Sequence, residues 1–165
     1  MTRRLILIRH AKSSWSDPLL DDHDRPLNPR GGRSADAIGD WLRKNAYIPD
    51  QILCSTATRT RETCDRLAVD APVTHLPELY HAGPDVMLAA LRRAEGACVA
   101  MIGHNPGIGA FASMLVRGTP AHARFADYPT GATLVADFPV DDWADATMHT
   151  AAAVAFVVPR ELIGD

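Results

Sequence analysis

Short, unbroken apolar runs alternate along this chain with longer stretches whose apolar residues recur at helical spacing. That alternation predicts buried strands separated by amphipathic helices. Leu5 to Ile8, after a basic start, is the first apolar run and predicts a buried strand. Ser16 to Gly32, "SDPLLDDHDRPLNPRGG", is dense in Pro, Asp and Gly and reads as a long loop of the kind that often carries function. "RSADAIGDWLRKN" then sets Ala35, Ile38, Trp41 and Leu42 on one helical face. "DQILCS" is a second short strand ending at Ser55. In the helix "TATRTRETCDRLA", Thr60, Thr63, Cys64 and Leu67 form the inner stripe, while Arg61, Glu62 and Asp65 face water. "VTHL" predicts a third strand, and "GPDVMLAALRRA" a helix built on Val86, Leu88 and Leu91 with Asp85 near its start. "ACVAMIG" is the next strand, and "NPGIGAFASMLVRG" opens a helix with Pro106 near its first turn. "HARFADYPTGA" is loop; "TLVADF" and "AAAVAFVV" are late strands. The fold class this specifies is α/β, a three-layer α/β/α sandwich with a mostly parallel central sheet.

Composition narrows the picture. A chain of 165 residues fits one domain, expected to span 1–165, able to bury a core without disulfide or metal staples. The net charge of -3 argues against a nucleic-acid or anionic-membrane surface, which needs a basic footprint, but leaves room for a local basic pocket. Cys54, Cys64 and Cys98 are odd in number, lie in or beside apolar runs and form no CxxC pair. They read as reduced core thiols of a cytoplasmic protein. The apolar run after the N-terminal arginines is too short for a signal-peptide core, and nothing approaches a membrane span.

The chemistry is concentrated at strand ends. The first strand ends in Arg9-His10, the second in Ser55 just before a helix carrying Arg59, and the strand at Cys98 to Ile102 in Gly103-His104-Asn105. Ligands of parallel sheets bind outside the carboxyl ends of the strands. A parallel arrangement therefore gathers two histidines and two arginines around one crevice. Two guanidiniums grip a tetrahedral oxyanion through charge-assisted hydrogen bonds, and the helix beginning near Pro106 is expected to add peptide N–H groups. A neutral imidazole there is a competent nucleophile toward phosphorus, and a second meets the charge of the transferring group. Cationic side chains doing this work call for no metal and no cofactor.

At these residues the sequence resembles the histidine phosphatase superfamily, the phosphoglycerate-mutase-like enzymes. "LIRHAKSSW" is similar to its Arg-His-Gly signature, "STATRTRET" to its second signature, and "GHNPG" to the segment bearing its second catalytic histidine. The resemblance runs from Leu5 to about Gly107, with the motifs in the family's order. It implies a phosphoglycerate-mutase-like fold, His10 as the nucleophile that becomes phosphohistidine, Arg9 and Arg59 as phosphate-binding arginines, and His104 as the second histidine. The short chain, "RHAKSSW" and "GHNPG" look most like the SixA-type subgroup of bacterial phosphohistidine phosphatases. Ala11 replaces the usual glycine, and Ser16 stands where many mutase relatives place asparagine, able to donate one hydrogen bond to phosphate. Glu78 in "LPELY" is the nearest match to the family's general acid, with Asp17 and Asp22 as weaker candidates.

The expected activity is thus metal-independent phosphoryl hydrolysis, with a phosphohistidine-bearing protein as first substrate and a small phosphomonoester as runner-up. A non-catalytic phosphate-binding module is the alternative from another class. Ser13 and Ser16 also fit local turn formation; His81 reads as solvent-facing; His23, His75, His122 and His149 lack metal-like spacing; and Trp15, Trp41 and Trp143 read as anchors. "GIGAFA" formally matches a dinucleotide fingerprint, but "GHNP" separates it from its strand, so its glycines are expected to permit close helix–sheet packing. Oligomeric state is not encoded in any of these patterns.

Overall fold

The computed structural model describes residues 1–164. Its strands are β1 (Arg3–Arg9), β2 (Gln51–Ser55), β3 (Val73–Leu76), β4 (Cys98–Gly103), β5 (Thr133–Phe138) and β6 (Ala152–Val157). Its helices are α1 (Pro29–Lys44), α2 (Thr58–Leu67), α3 (Pro84–Arg92), α4 (Gly107–Leu115) and the short α5 (Pro159–Ile163). The strands form one sheet of order β3-β2-β4-β1-β5-β6. β3, β2, β4 and β1 run parallel, whereas β5 is antiparallel to both β1 and β6. The sheet is therefore mostly parallel, with β5 alone reversed.

The run Leu5 to Ile8 explains the layering. All four residues are wholly buried, because a strand covered on both faces needs apolar side chains at consecutive positions. Leu5 and Leu7 join a cluster with Leu91, Phe111 and Leu115 from α3 and α4. Ile6 and Ile8 join Ile38, Leu42 and Leu67 from α1 and α2 on the opposite face. Each burial is worth about 1.5–3 kcal/mol relative to exposure. β1 pairs with β4 in the register Arg9↔Gly103, and β2 with β4 in the register Cys54↔Ile102. The chemistry-bearing ends of these three strands consequently emerge together.

Several boundaries differ from expectation for local reasons. α1 begins at Pro29 rather than near Arg33, so the end of the supposed loop is helix. Asn28 caps it, its side chain accepting from the Gly31 N–H at 2.7 Å, and Pro29 occupies the first turn. Gly31 is required there, since a Cβ would lie 2.0 Å from the Lys12 carbonyl oxygen. In α3 the apolar face is Met87, Leu88, Ala90 and Leu91, and Val86 is exposed. The α4 glycines serve close packing, but against loops rather than the sheet: a Cβ on Gly107 would meet the Ala82 carbonyl oxygen at 1.8 Å, and one on Gly109 the Tyr128 Cβ at 3.2 Å. Among the described residues no helix is long and apolar enough to cross a membrane.

Candidate active site

The ends of β1, β2 and β4 open into a pocket of about 410 Å³. Four cationic side chains, Arg9, Lys12, Arg25 and Arg59, line it together with one carboxylate, Asp22. A protein of net negative charge thus concentrates positive charge in one crevice.

His10 sits in this pocket and is 6% exposed. Its Nδ1 lies 2.7 Å from the Ala11 carbonyl oxygen. A carbonyl only accepts, so Nδ1 carries the ring proton and Nε2 keeps its lone pair. Burial pushes the His10 pKa down to about 3, and Arg9, Arg59 and Arg25 push the same way against the Ala11 hydrogen bond. At neutral pH the ring is uncharged and its Nε2 lone pair is available. Its surroundings are fixed by backbone bonds: the His10 N–H donates to the Gly103 carbonyl and the Ala11 N–H to Thr63 Oγ1, both at 3.0 Å.

His104 follows β4 and is 2% exposed, its ring centroid 5.3 Å from that of His10. His104 Nε2 lies 2.8 Å from Ser55 Oγ, which accepts from the Ala57 N–H at 3.4 Å. With Ser55 as the donor in this pair, the proton of His104 lies on Nδ1. That Nδ1 is buried without a protein partner. Burial first, then the neighbouring His10, Arg59 and His81, brings the His104 pKa down to about 3, so this ring too is neutral.

Arg59 is 3% exposed and donates to Asp22 twice, from Nη1 to the main-chain carbonyl at 2.6 Å and from Nη2 to Oδ2 at 2.9 Å. Arg9 donates from Nη1 to the Tyr128 carbonyl at 3.2 Å. Burial and the nearby Arg59 charge pull the Arg9 pKa downward. The Nε atoms of both arginines are buried without a protein partner. Buried donors are otherwise almost always satisfied, so these two and His104 Nδ1 mark where an anionic ligand would be bound.

Arg9, His10, Arg59 and His104 are thus brought together as expected. Glu78 is not: it lies in a 3-10 turn (Pro77–Leu79), 3.3 Å from Arg93, and does not line the pocket. Ser16 is also outside, exposed and paired with Ser14 Oγ at 2.8 Å, whereas the buried Ser13 lines the pocket. The first-turn amides of α4 are occupied internally, Gly109 N–H donating to Asn105 Oδ1 at 3.0 Å and Ile108 N–H to the His104 carbonyl at 2.8 Å. Those two amides are therefore not available to an anion.

Of three further pocket residues, Arg25 escapes the sequence reading, while Asp22 figures there only as a weaker acid candidate and His81 as a solvent-facing residue. Arg25, 7% exposed, donates from Nε to Asp22 Oδ1 at 3.1 Å and from Nη1 to Ser13 Oγ at 3.0 Å. Its guanidinium carbon lies 3.5 Å from the centroid of the Trp15 ring, which is 76% exposed and forms the rim rather than an anchor. Asp22 accepts from Arg59, Arg25 and Tyr80. Burial opposes its ionisation, but these partners hold its carboxyl well below the usual carboxylate range. His81 lines the wall beside them. The density of charge in "DDHDRPL" was the available signal for Asp22 and Arg25.

Comparison with known proteins fits this geometry. The sequence profile described as Histidine phosphatase superfamily (branch 1) matches residues 5–82. An uncharacterised protein of Mycobacterium tuberculosis is 38% identical over 160 residues, covering 93% of this chain and 100% of that protein. A solved structure of a candidate phosphohistidine phosphatase SixA from Nakamurella multipartitia superposes with a TM-score of 0.86 at 33% identity, covering 96% of this chain and 97% of the other. A candidate SixA from Agrobacterium tumefaciens gives 0.77 at 28% identity, covering 95% of this chain and 99% of the other.

Proposed function

The chain belongs to the histidine phosphatase superfamily, in its SixA-like group, and from that membership we propose that it dephosphorylates phosphohistidine on a protein through a covalent intermediate on His10. The observation that carries the reading is the 2.7 Å contact of His10 Nδ1 with the Ala11 carbonyl, which assigns the ring proton to Nδ1 and leaves Nε2 as an uncharged nucleophile beside the partnerless nitrogens of Arg9, Arg59 and His104. Nε2 forms a bond to phosphorus as the bond to the leaving atom breaks, and that atom leaves with a proton. The Arg9 and Arg59 guanidiniums and His104 Nδ1–H meet the charge on the phosphoryl oxygens. Water then attacks phosphorus, the P–N bond to His10 breaks, and its electron pair returns to Nε2 as inorganic phosphate forms.

A protein substrate is favoured by the rim. Trp15 is 76% exposed and the His81 side chain 56%, so the mouth is bordered by accessible rings able to meet a folded surface. The expected result is higher kcat/KM on a phosphohistidine protein than on sugar or nucleotide monophosphates, unchanged by EDTA. Acid-labile, alkali-stable label should appear on His10 after quenching. Full turnover by His10→Ala would refute the mechanism, and a metabolite preferred by a wide margin would refute the substrate.

A further inference from the structure

With Glu78 turned onto Arg93, the carboxylate that the sequence nominated as proton donor lies outside the pocket. The same segment delivers a different group. After the 3-10 turn Pro77–Leu79 the backbone reverses at His81, which has φ +57. A non-glycine residue in this left-handed region costs about 1 kcal/mol or more, and such strain concentrates at functional sites. Ala46, Ala68, Tyr128 and His149 also have positive φ, and of the five His81 is the one that lines the pocket.

His81 is surrounded by charge and by rings. Its Nε2 lies 3.4 Å from Asp22 Oδ2, and behind that carboxylate stand Arg59 and Arg25. Its ring centroid is 4.0 Å from that of Tyr80 and 5.8 Å from that of His104, which in turn is 5.3 Å from His10. The three histidines therefore form a series from the buried nucleophile to the mouth. In-line attack by His10 expels the leaving group away from it, toward the open end where the half-exposed His81 stands.

The other ionisable neighbours are committed. Asp22 is held as a carboxylate by Tyr80, Arg59 and Arg25. Tyr80, its own pKa raised by burial and by the Asp22 bond, keeps its proton and donates a hydrogen bond to that carboxylate. His104 is neutral and bonded to Ser55. Histidine is the side chain suited to exchanging a proton near neutral pH, and Asp22 gives an imidazolium its counter-charge.

We propose that His81 is the proton donor to the leaving group during phosphoryl transfer to His10, with Asp22 as its positioning residue. This rests on the phosphatase reading above. As the P–O or P–N bond breaks, its electron pair stays on the leaving atom, which takes the His81 proton. In the second step the neutral His81 takes a proton from the attacking water, restoring the starting state when phosphate leaves.

The test uses leaving groups that need a proton to different degrees: phenyl phosphate, which needs one, and 2,4-dinitrophenyl phosphate, which does not. His81→Asn suits the backbone, because asparagine tolerates left-handed φ. For His81→Asn, kcat/KM on phenyl phosphate is expected to fall about 100-fold or more, the usual worth of general acid catalysis, while the dinitrophenyl ester changes little. Asp22→Asn is expected to show a smaller loss, likewise confined to phenyl phosphate. Glu78→Gln is expected to match wild type on both esters. Equal losses on both esters, or none, in His81→Asn would overturn the assignment. Equal losses on both esters, or none, in Asp22→Asn would remove the positioning role. His10 labelling separates the two failures: label on His10 with His81→Asn unaffected sinks this assignment alone, whereas turnover without label sinks both.

Discussion

Holding two neutral imidazoles in a cationic pocket has a measurable consequence for acid stability. His10 and His104 have an ordinary pKa of 6.5 when unfolded and are pushed down to about 3 in the fold. Between those values the unfolded chain binds protons that the folded chain refuses, so stability falls as pH falls. The loss begins near 6.5 and is complete below about 3. At pH 5 an unfolded histidine is almost fully protonated while the buried ring is not. Linkage then gives a loss of about 2 kcal/mol per histidine between pH 8 and pH 5. The His10→Asn and His104→Asn variants should each lose about 2 kcal/mol less than wild type over that interval, and the double variant about 4 kcal/mol less. The assay is urea denaturation of all four proteins at the two pH values. Reading the difference within each protein cancels whatever the substitution does to packing. If the variants lose as much stability as wild type over this interval, neither ring is held neutral, and the derivation of His10 as an uncharged nucleophile fails with it.

Two further outcomes follow from particular contacts. Ser55→Ala leaves His104 Nε2 buried without a partner, which should cost about 1–3 kcal/mol of stability in chemical denaturation and, by freeing the tautomer, lower kcat more than it raises KM. Gly31→Ala sets a Cβ 2.0 Å from the Lys12 carbonyl oxygen, with backbone on both sides of the clash. It should destabilise by about 1–3 kcal/mol in a thermal melt and weaken competitive inhibition by inorganic phosphate, because Lys12 and Ser13 of the pocket move with that carbonyl.

The four central residues were legible because Arg9 ends β1, His10 and His104 follow β1 and β4, and Arg59 stands in the first turn of the helix after β2, and strands buried on both faces announce themselves as uninterrupted apolar runs. The Leu5–Ile8 run fixes where Arg9 and His10 must emerge, and the parallel arrangement brings His104 beside them. The proton donor was not legible on the same grounds. In a 3-10 turn followed by a reversal, the direction of Glu78, Tyr80 and His81 depends on a positive φ that no glycine signals. Asp22 and Arg25 lie in a loop without periodicity, where charge density is visible but direction is not. Ser16 and Ser13 show the same effect at closer range, for three positions along a turn separate a pocket residue from an exposed one. Trp15 was misplaced because composition favours burying tryptophan, while here Arg25 stacks on a ring left open to solvent.

Tyr128 ties the pocket wall to the middle of the sheet. Its ring is wholly buried, its hydroxyl donates to the Leu7 carbonyl, and its own carbonyl receives Arg9 and Asn105. The Gly131 N–H adds bonds to the Arg9 and His10 carbonyls at 3.1 and 3.0 Å. Partial openings of a protein normally begin at frayed ends and thinly packed loops, and the central strand is among the last structure to go. His10 continues that strand, its backbone tied on one side to Gly103 of β4 and on the other to Gly131. A fluctuation that frees His10 must therefore break its bonds to Gly103 and Gly131 at the end of the central strand, so a chain that keeps its fold keeps the floor of its site. Activity then serves as a gauge of how many molecules remain folded.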